Sequence, residues 1–133
     1  MYKVLVPLDQ DQRRASAQAD AIIDLPNAQQ EVQALLFHVF GDNPEGASVT
    51  QVGSVHTAMN ALKKAGVPFE LLESSGDPAE AVLHAAKEQK VNLICMSGRK
   101  RNHLDELVFG SVAHEVVHRS SLPVMVCGPT GEH

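Results

Sequence analysis

A chain of 133 residues, 44% of them hydrophobic, can bury one ordinary core and is too short for two, so a single domain over 1–133 is expected. With 20% charged residues and a formal net charge of -5, it lacks the clustered cations that general nucleic-acid binding needs to neutralise phosphates. No apolar run approaches the ~20 residues of a membrane span, and the opening MYKVLVPLDQ lacks the long apolar segment of a secretory signal; the reading is a cytoplasmic protein with neither membrane nor nucleic acid as partner.

In chain order, Tyr2 to Leu8 is short, apolar and β-rich, as a strand buried on both faces should be. Gln12 to Leu25 places Ala15, Ala19, Ile22 and Ile23 at helical spacing, and Pro26-Asn27 stops that helix. Val32 to Phe40 is the second strand, and Gly41 to Ser48 is a loop of turn formers. Thr50 to Ala65 carries Val52, Val55, Met59 and Leu62 on one helical face, with Gly66 at the C′ position. Val67 to Glu73 is the third strand. Asp77 and Pro78 suit the cap and first position of a helix from Ala79 to Gln89. Val91 to Met96 is the fourth strand, Val112 to His118 the core of the last helix, Pro123 to Cys127 the fifth strand, and GPTGEH a frayed tail.

Strand and helix alternate throughout, which predicts an α/β fold: a single doubly wound parallel sheet with right-handed crossovers and helices on both faces. Ligands of such sheets bind beyond the C-terminal strand ends where the strand order reverses. The candidates there are Pro7 to Asp9, His38 to Phe40, Ser75 to Asp77, and Ser97 onward. The segment after strand four leads into a helix opening at Gly110-Ser111. Free N–H groups and the helix dipole favour an anion at such a start.

Several ordered pieces, KVLVPLD, LLFHVF, GDPAEAVLHAAKE, NLICMSGRKR and FGSVAHEVVHRSSLPVMV, make the chain resemble the universal stress proteins along essentially its full length. The resemblance implies a five-stranded sheet of order 3-2-1-4-5, in the adenine nucleotide alpha hydrolase-like arrangement. It also implies a homodimer formed through the fifth strand, Pro123 to Cys127. Pairing an apolar edge strand with its own copy would hide its unpaired backbone.

In nucleotide-binding members of the family, two loop glycines and a following Gly-Ser hold the phosphates of ATP. Gly110 and Ser111 match, but the two glycine positions fall on Ser97 and Lys100, Gly98 is one place off, and His103 stands where a further glycine is common. Side chains at Ser97 and Lys100 hinder the close backbone approach that glycine allows. Arg99, Lys100 and Arg101 offer side-chain charge instead, or are three solvated cations. If ATP with Mg²⁺ binds, the resemblance places Asp9 at the ribose or a metal on the phosphates, Val39 at the adenine and Gly76 with Asp77 beside the base, with Pro7 at the strand end among the binding candidates. Gly98 lies within the altered loop, and Gly110, Ser111 and Val112 meet the terminal phosphates.

Two functional readings follow. One is a dimeric, non-catalytic stress-response protein whose nucleotide binding is weak or absent. The other is an ATP-binding member, with slow ATPase activity, using the modified SGRKR…GS segment. His114 to His118 spells HEVVH, which fits the H-E-x-x-H zinc pattern. No third ligand follows in the right place, so adventitious metal binding by His114 and His118 is preferred to catalysis. No catalytic residue or metal centre is assigned. His38 reads as a strand-end core residue, and Cys95 and Cys127, outside any CxxC pair, as reduced thiols.

Overall fold

The fold was analysed in a computed structural model. It describes residues 1–41, 47–100, 107–108 and 110–128, with the side chains of 99, 100, 107 and 108 excepted. Its elements are β1 (Tyr2–Pro7), α1 (Gln12–Ile23), α2 (Ala28–Glu31), β2 (Val32–Phe40), α3 (Gly53–Ala65), β3 (Phe69–Ser75), α4 (Pro78–Glu88) and β4 (Leu93–Ser97). A short ribbon, β5 (Arg99–Lys100) with β6 (Leu107–Val108), then precedes α5 (Ser111–Arg119) and β7 (Val124–Cys127).

The main sheet has the order β3-β2-β1-β4-β7, and every pairing in it is parallel. Counting only its five strands, that is the expected 3-2-1-4-5. The side chains alternate between two cores, as the two-residue period of a strand requires. Val4, Val6, Ala34, Leu36 and Cys95 pack with Ile22 of α1 and Leu62 of α3 on one face. Leu5, Leu35, Phe37, Ile94 and Met96 pack with Val82 of α4 and Val116 of α5 on the other. Val4, Leu5, Val6, Leu35, Leu36 and Ile94 have no exposed surface, which explains why the central strands read as unbroken apolar runs.

Two strands begin later than the sequence suggests, for the same reason. The Val67 amide is spent on Leu62 O at the end of α3 (3.0 Å), and Pro68 has no N–H, so β3 starts at Phe69. The Val91 amide is likewise spent on Ala86 O at the end of α4 (3.1 Å); the Asn92 amide then reaches Lys3 O of β1 (2.8 Å), and β4 runs from Leu93. The helix expected over Thr50 to Ala65 is also divided. Ser48 and Gln51 form a reciprocal cap on a 3-10 turn, Val49–Gln51, and Val52 is extended before α3 begins.

Gly66 ends α3 at φ 76, which glycine accepts freely. Lys90 ends α4 in the same left-handed conformation, at φ 53, carrying a Cβ. A non-glycine residue there is strained by roughly 1–2 kcal/mol, partly offset by the extra unfolded-state freedom of glycine. Lys90→Gly should therefore stabilise the protein by about 0.5–1 kcal/mol in urea unfolding; a loss of stability would contradict the strain argument.

Candidate functional site

From β1 the sheet grows outward in both directions, to β2 and β3 on one side and to β4 and β7 on the other. The connections that leave β1 and β4 therefore go to opposite faces, α1 to one and α5 to the other, and a cavity of about 470 Å³ opens above the strand ends. This is a size typical of small-ligand sites.

The base of the cavity is built from α1. Gln18 falls on the buried stripe of that helix and is 1% exposed. Its Nε2 donates to Pro7 O (2.7 Å) and to Cys95 O (2.9 Å), tying the end of β1 to β4 beyond Leu5 and Ile94, where their ladder stops. His38, at the end of β2, is also buried. Its Nδ1 lies 2.7 Å from Leu8 O, and since a carbonyl only accepts, Nδ1 carries the proton; Nε2 is the ring nitrogen left for any other partner. The ring meets Phe40 edge-on at 4.7 Å. Both Gln18 and His38 line the cavity.

Asp9 stands at the rim and is held from two sides. Its Oδ1 accepts the Asp11 amide (2.8 Å), and its Oδ2 accepts Arg14 Nε (2.9 Å) with Nη2 at 2.8 Å. Its carbonyl accepts from Ser54 Oγ, which docks the start of α3 against the end of β1. Asp11 caps α1 by accepting the Arg14 amide (3.0 Å). That bond, with the nearby Arg14 charge, holds the Asp11 carboxyl below its usual range.

At the opposite end stands the start of α5. Gly110 is the N-cap residue, no side chain caps the helix, and its first turn contains no acid. Gly110, Ser111, Val112 and Ala113 line the cavity. A helix start of this kind behaves as roughly +0.5 of an elementary charge, so this end of the cavity suits an anion. Gly110 has φ -71, which any residue adopts, and a Cβ built on it would meet nothing within 4 Å.

Of the residues expected at a site, Pro7, Asp9, Val39, Ser97, Gly98, Gly110, Ser111 and Val112 line this one cavity. Gly76 does not: it ends β3 at φ 106 with its amide on Phe40 O (3.1 Å), and Pro78 and Val82 form the wall on that side. Asp77 instead caps α4, accepting the Glu80 amide at 2.9 Å. The backbone of Arg99 and Lys100 is paired antiparallel with Val108 and Leu107, so this part of the segment is a ribbon rather than an open loop. Arg101, His103, Asp105, Glu106 and His133 lie outside the described residues, as does most of the turn between β2 and Ser48.

Sequence reasoning missed Gln18 and Arg14. A glutamine on the apolar stripe of α1 was the available signal for the first; the second had none, because its role depends on how α1 leaves β1.

The HEVVH motif lies on α5 with His114, Glu115 and His118 exposed, while its central Val116 is buried against the sheet. His114 and His118 stack there, while Glu115, the base that a zinc protease would need, is paired with Arg119 at 2.7 Å. Among the described residues, no group of three or more His, Cys, Asp or Glu could hold a metal ion. Contact with Cys127 and burial push the Cys95 thiol well above its usual range, so it stays protonated.

The model of the universal stress protein family matches residues 1–128. The universal stress protein YxiE of Bacillus subtilis is 40% identical over 70 residues, 50% of this chain and 47% of that relative, so the match spans about half the relative's length. Among solved structures, a universal stress protein from Archaeoglobus fulgidus superposes with a TM-score of 0.76 at 22% identity, covering 96% of this chain and 98% of that one. A universal stress protein in complex with cAMP gives 0.71 at 20% identity, covering 96% and 97%. A family protein from Arabidopsis thaliana with AMP bound gives 0.69 at 16%, covering 98% and 94%. At these identities the structures establish a shared fold, the adenine nucleotide alpha hydrolase-like arrangement.

The charge on Asp11 gives the site a measurable acid dependence. The folded carboxyl binds its proton less readily than the unfolded one, whose pKa is about 3.9. Its contribution to stability is fully present above that value and is lost as the pH falls through the lowered folded pKa. Asp11→Asn keeps a capping oxygen without the charge. Thermal unfolding should show wild type above Asp11→Asn at pH 7, with the gap narrowing as the pH falls below the usual carboxylate range; a gap that does not narrow in acid would contradict this assignment.

Proposed function

Because the chain belongs to the universal stress protein family, we propose that it is a cytoplasmic, dimeric, non-catalytic stress-response protein whose cavity takes an adenine mononucleotide. The observation that carries this reading is Gly110. Its backbone conformation does not require glycine, and no neighbouring atom forbids a Cβ. A glycine there is explained by something that comes close to the backbone from the cavity side, against an uncapped and electropositive helix start. The relatives in complex with cAMP and with AMP carry ligands of this class.

In this pose one phosphate meets the amides of Ser111 and Val112. The ribose lies toward Asp9, and the base lies between Pro7 and Val39. Asp9 is already held by Arg14 and the Asp11 amide, so its grip on a ribose hydroxyl is weakened. A triphosphate with Mg²⁺ would extend toward Ser97 and Lys100. There a side chain stands at the first glycine position, and the backbone at the second is engaged with Leu107. The affinity is therefore modest, and ATP gains little over AMP. The second reading, an ATP-binding protein with slow ATPase activity, draws its support from the cationic SGRKR run and requires the opposite order.

The dimer rests on β7. It pairs with β4 on one side, and among the described residues no strand covers its other side, while Val124, Met125 and Val126 are only half-buried. An apolar edge of this kind suits a second copy of itself.

Substitution of Gly110 separates fold from ligand. Gly110→Asp supplies a capping carboxylate and should raise stability by a few tenths to about 1 kcal/mol. The same carboxylate should abolish the rise in melting temperature that millimolar AMP gives wild type, since only binding to the folded state produces such a shift. In wild type, ATP should bind within about tenfold of AMP. No shift with any adenine nucleotide would leave a stress-response protein that acts without one, and ATP binding far tighter than AMP, with hydrolysis, would favour the second reading.

For the dimer, light scattering should give twice the 14.3 kDa chain mass for wild type and the single mass for Val126→Lys. A monomeric wild type at micromolar concentration would sink the proposal.

A further inference from the structure

The HEVVH segment takes no part in the nucleotide reading, yet it places two imidazoles where one helix fixes their spacing. His114 and His118 are four residues apart on α5 and both are exposed. Their rings lie nearly parallel, 12° between planes, with centroids 6.2 Å apart. They share a shallow cavity with Gly110, Ser111, Glu115 and Arg119. Residues at i and i+4 project from the same helix face, so a small rotation of two exposed side chains brings one nitrogen of each toward a common point.

We propose that His114 and His118 form an exchangeable binding site for one late divalent transition-metal ion, held by two imidazoles from consecutive turns of α5. Neutral imidazole suits copper, nickel and zinc, with Cu²⁺ bound most tightly in this series. Two protein ligands make neither a structural nor a hydrolytic zinc centre, which use four and three. The remaining coordination positions belong to water or to an incoming oxygen donor. Glu115 is not a third ligand, because it is engaged by Arg119, which in turn also holds Glu80 of α4 at 2.9 Å. That arrangement offsets the positive charge of Arg119 beside the ion.

Gly110 and Ser111 border both this cavity and the larger one above the sheet. A bound ion would sit about one and a half turns past the helix start, on its outer side. The site is independent of the nucleotide reading: it stands or falls with the protein free of nucleotide.

The test is calorimetric titration of the untagged protein with CuCl₂ and with ZnCl₂. Wild type should show one saturable site per chain, tighter for Cu²⁺. Either His114→Ala or His118→Ala should weaken it at least about tenfold, because the second imidazole binds as an intramolecular ligand. His103→Ala and His133→Ala should leave it unchanged. Substoichiometric Cu²⁺ should also broaden the imidazole proton resonances of His114 and His118 before those of the other histidines. No saturable site in wild type, wild-type affinity in the doubly substituted His114→Ala, His118→Ala protein, or first broadening at another histidine would each overturn the proposal.

Discussion

One carboxamide holds the site open. The ladder between β1 and β4 ends at Leu5 and Ile94, and the backbone groups beyond it need partners other than a strand. Gln18 supplies them, bonding Pro7 O and Cys95 O from a single nitrogen while almost wholly buried. Leaving those two carbonyls unpaired would cost about 1–3 kcal/mol for each buried group. The bridge therefore does two things at once: it lines the crevice and ties the end of β1 to β4. His38 does the same on the other side of β1, joining Leu8 O to the end of β2.

The architecture was legible because its cause is periodic. Unbroken apolar runs at Val4–Val6, Leu35–Phe37 and Leu93–Met96 can be satisfied only by burial on both faces, and Gly66 and Asp77 mark helix ends by the chemistry they perform. The boundaries were less legible, because they depend on where single amides go. Val67 and Val91 look like strand residues, yet their N–H groups close the preceding helices.

The site was half legible. Residues at strand ends and at the α5 start could be placed from position alone, since topology puts every such end in one crevice. Gly76 misled, because it too ends a strand, but β3 lies two strands from the switch point and its glycine serves a turn. Arg14 was invisible: only the path of the chain from Asp9 through the Asp11 cap brings its guanidinium back onto Asp9. The cationic run after β4 reads as a loop in sequence, whereas pairing of Arg99 with Val108 and of Lys100 with Leu107 gives it a ribbon. A ribbon spends backbone groups that an open loop would offer to phosphate. The charge asymmetry that remains runs from the acid-capped α1 at one rim to the uncapped α5 at the other.

The most direct measurement of this account is an amide proton–nitrogen spectrum of the protein titrated with AMP. The account predicts that the largest shifts fall on Ser111, Val112 and Ala113, with smaller ones at Asp9 and Val39 across the cavity. Saturation without movement of the Ser111 to Ala113 amides, or shifts confined to residues outside the cavity, would contradict it.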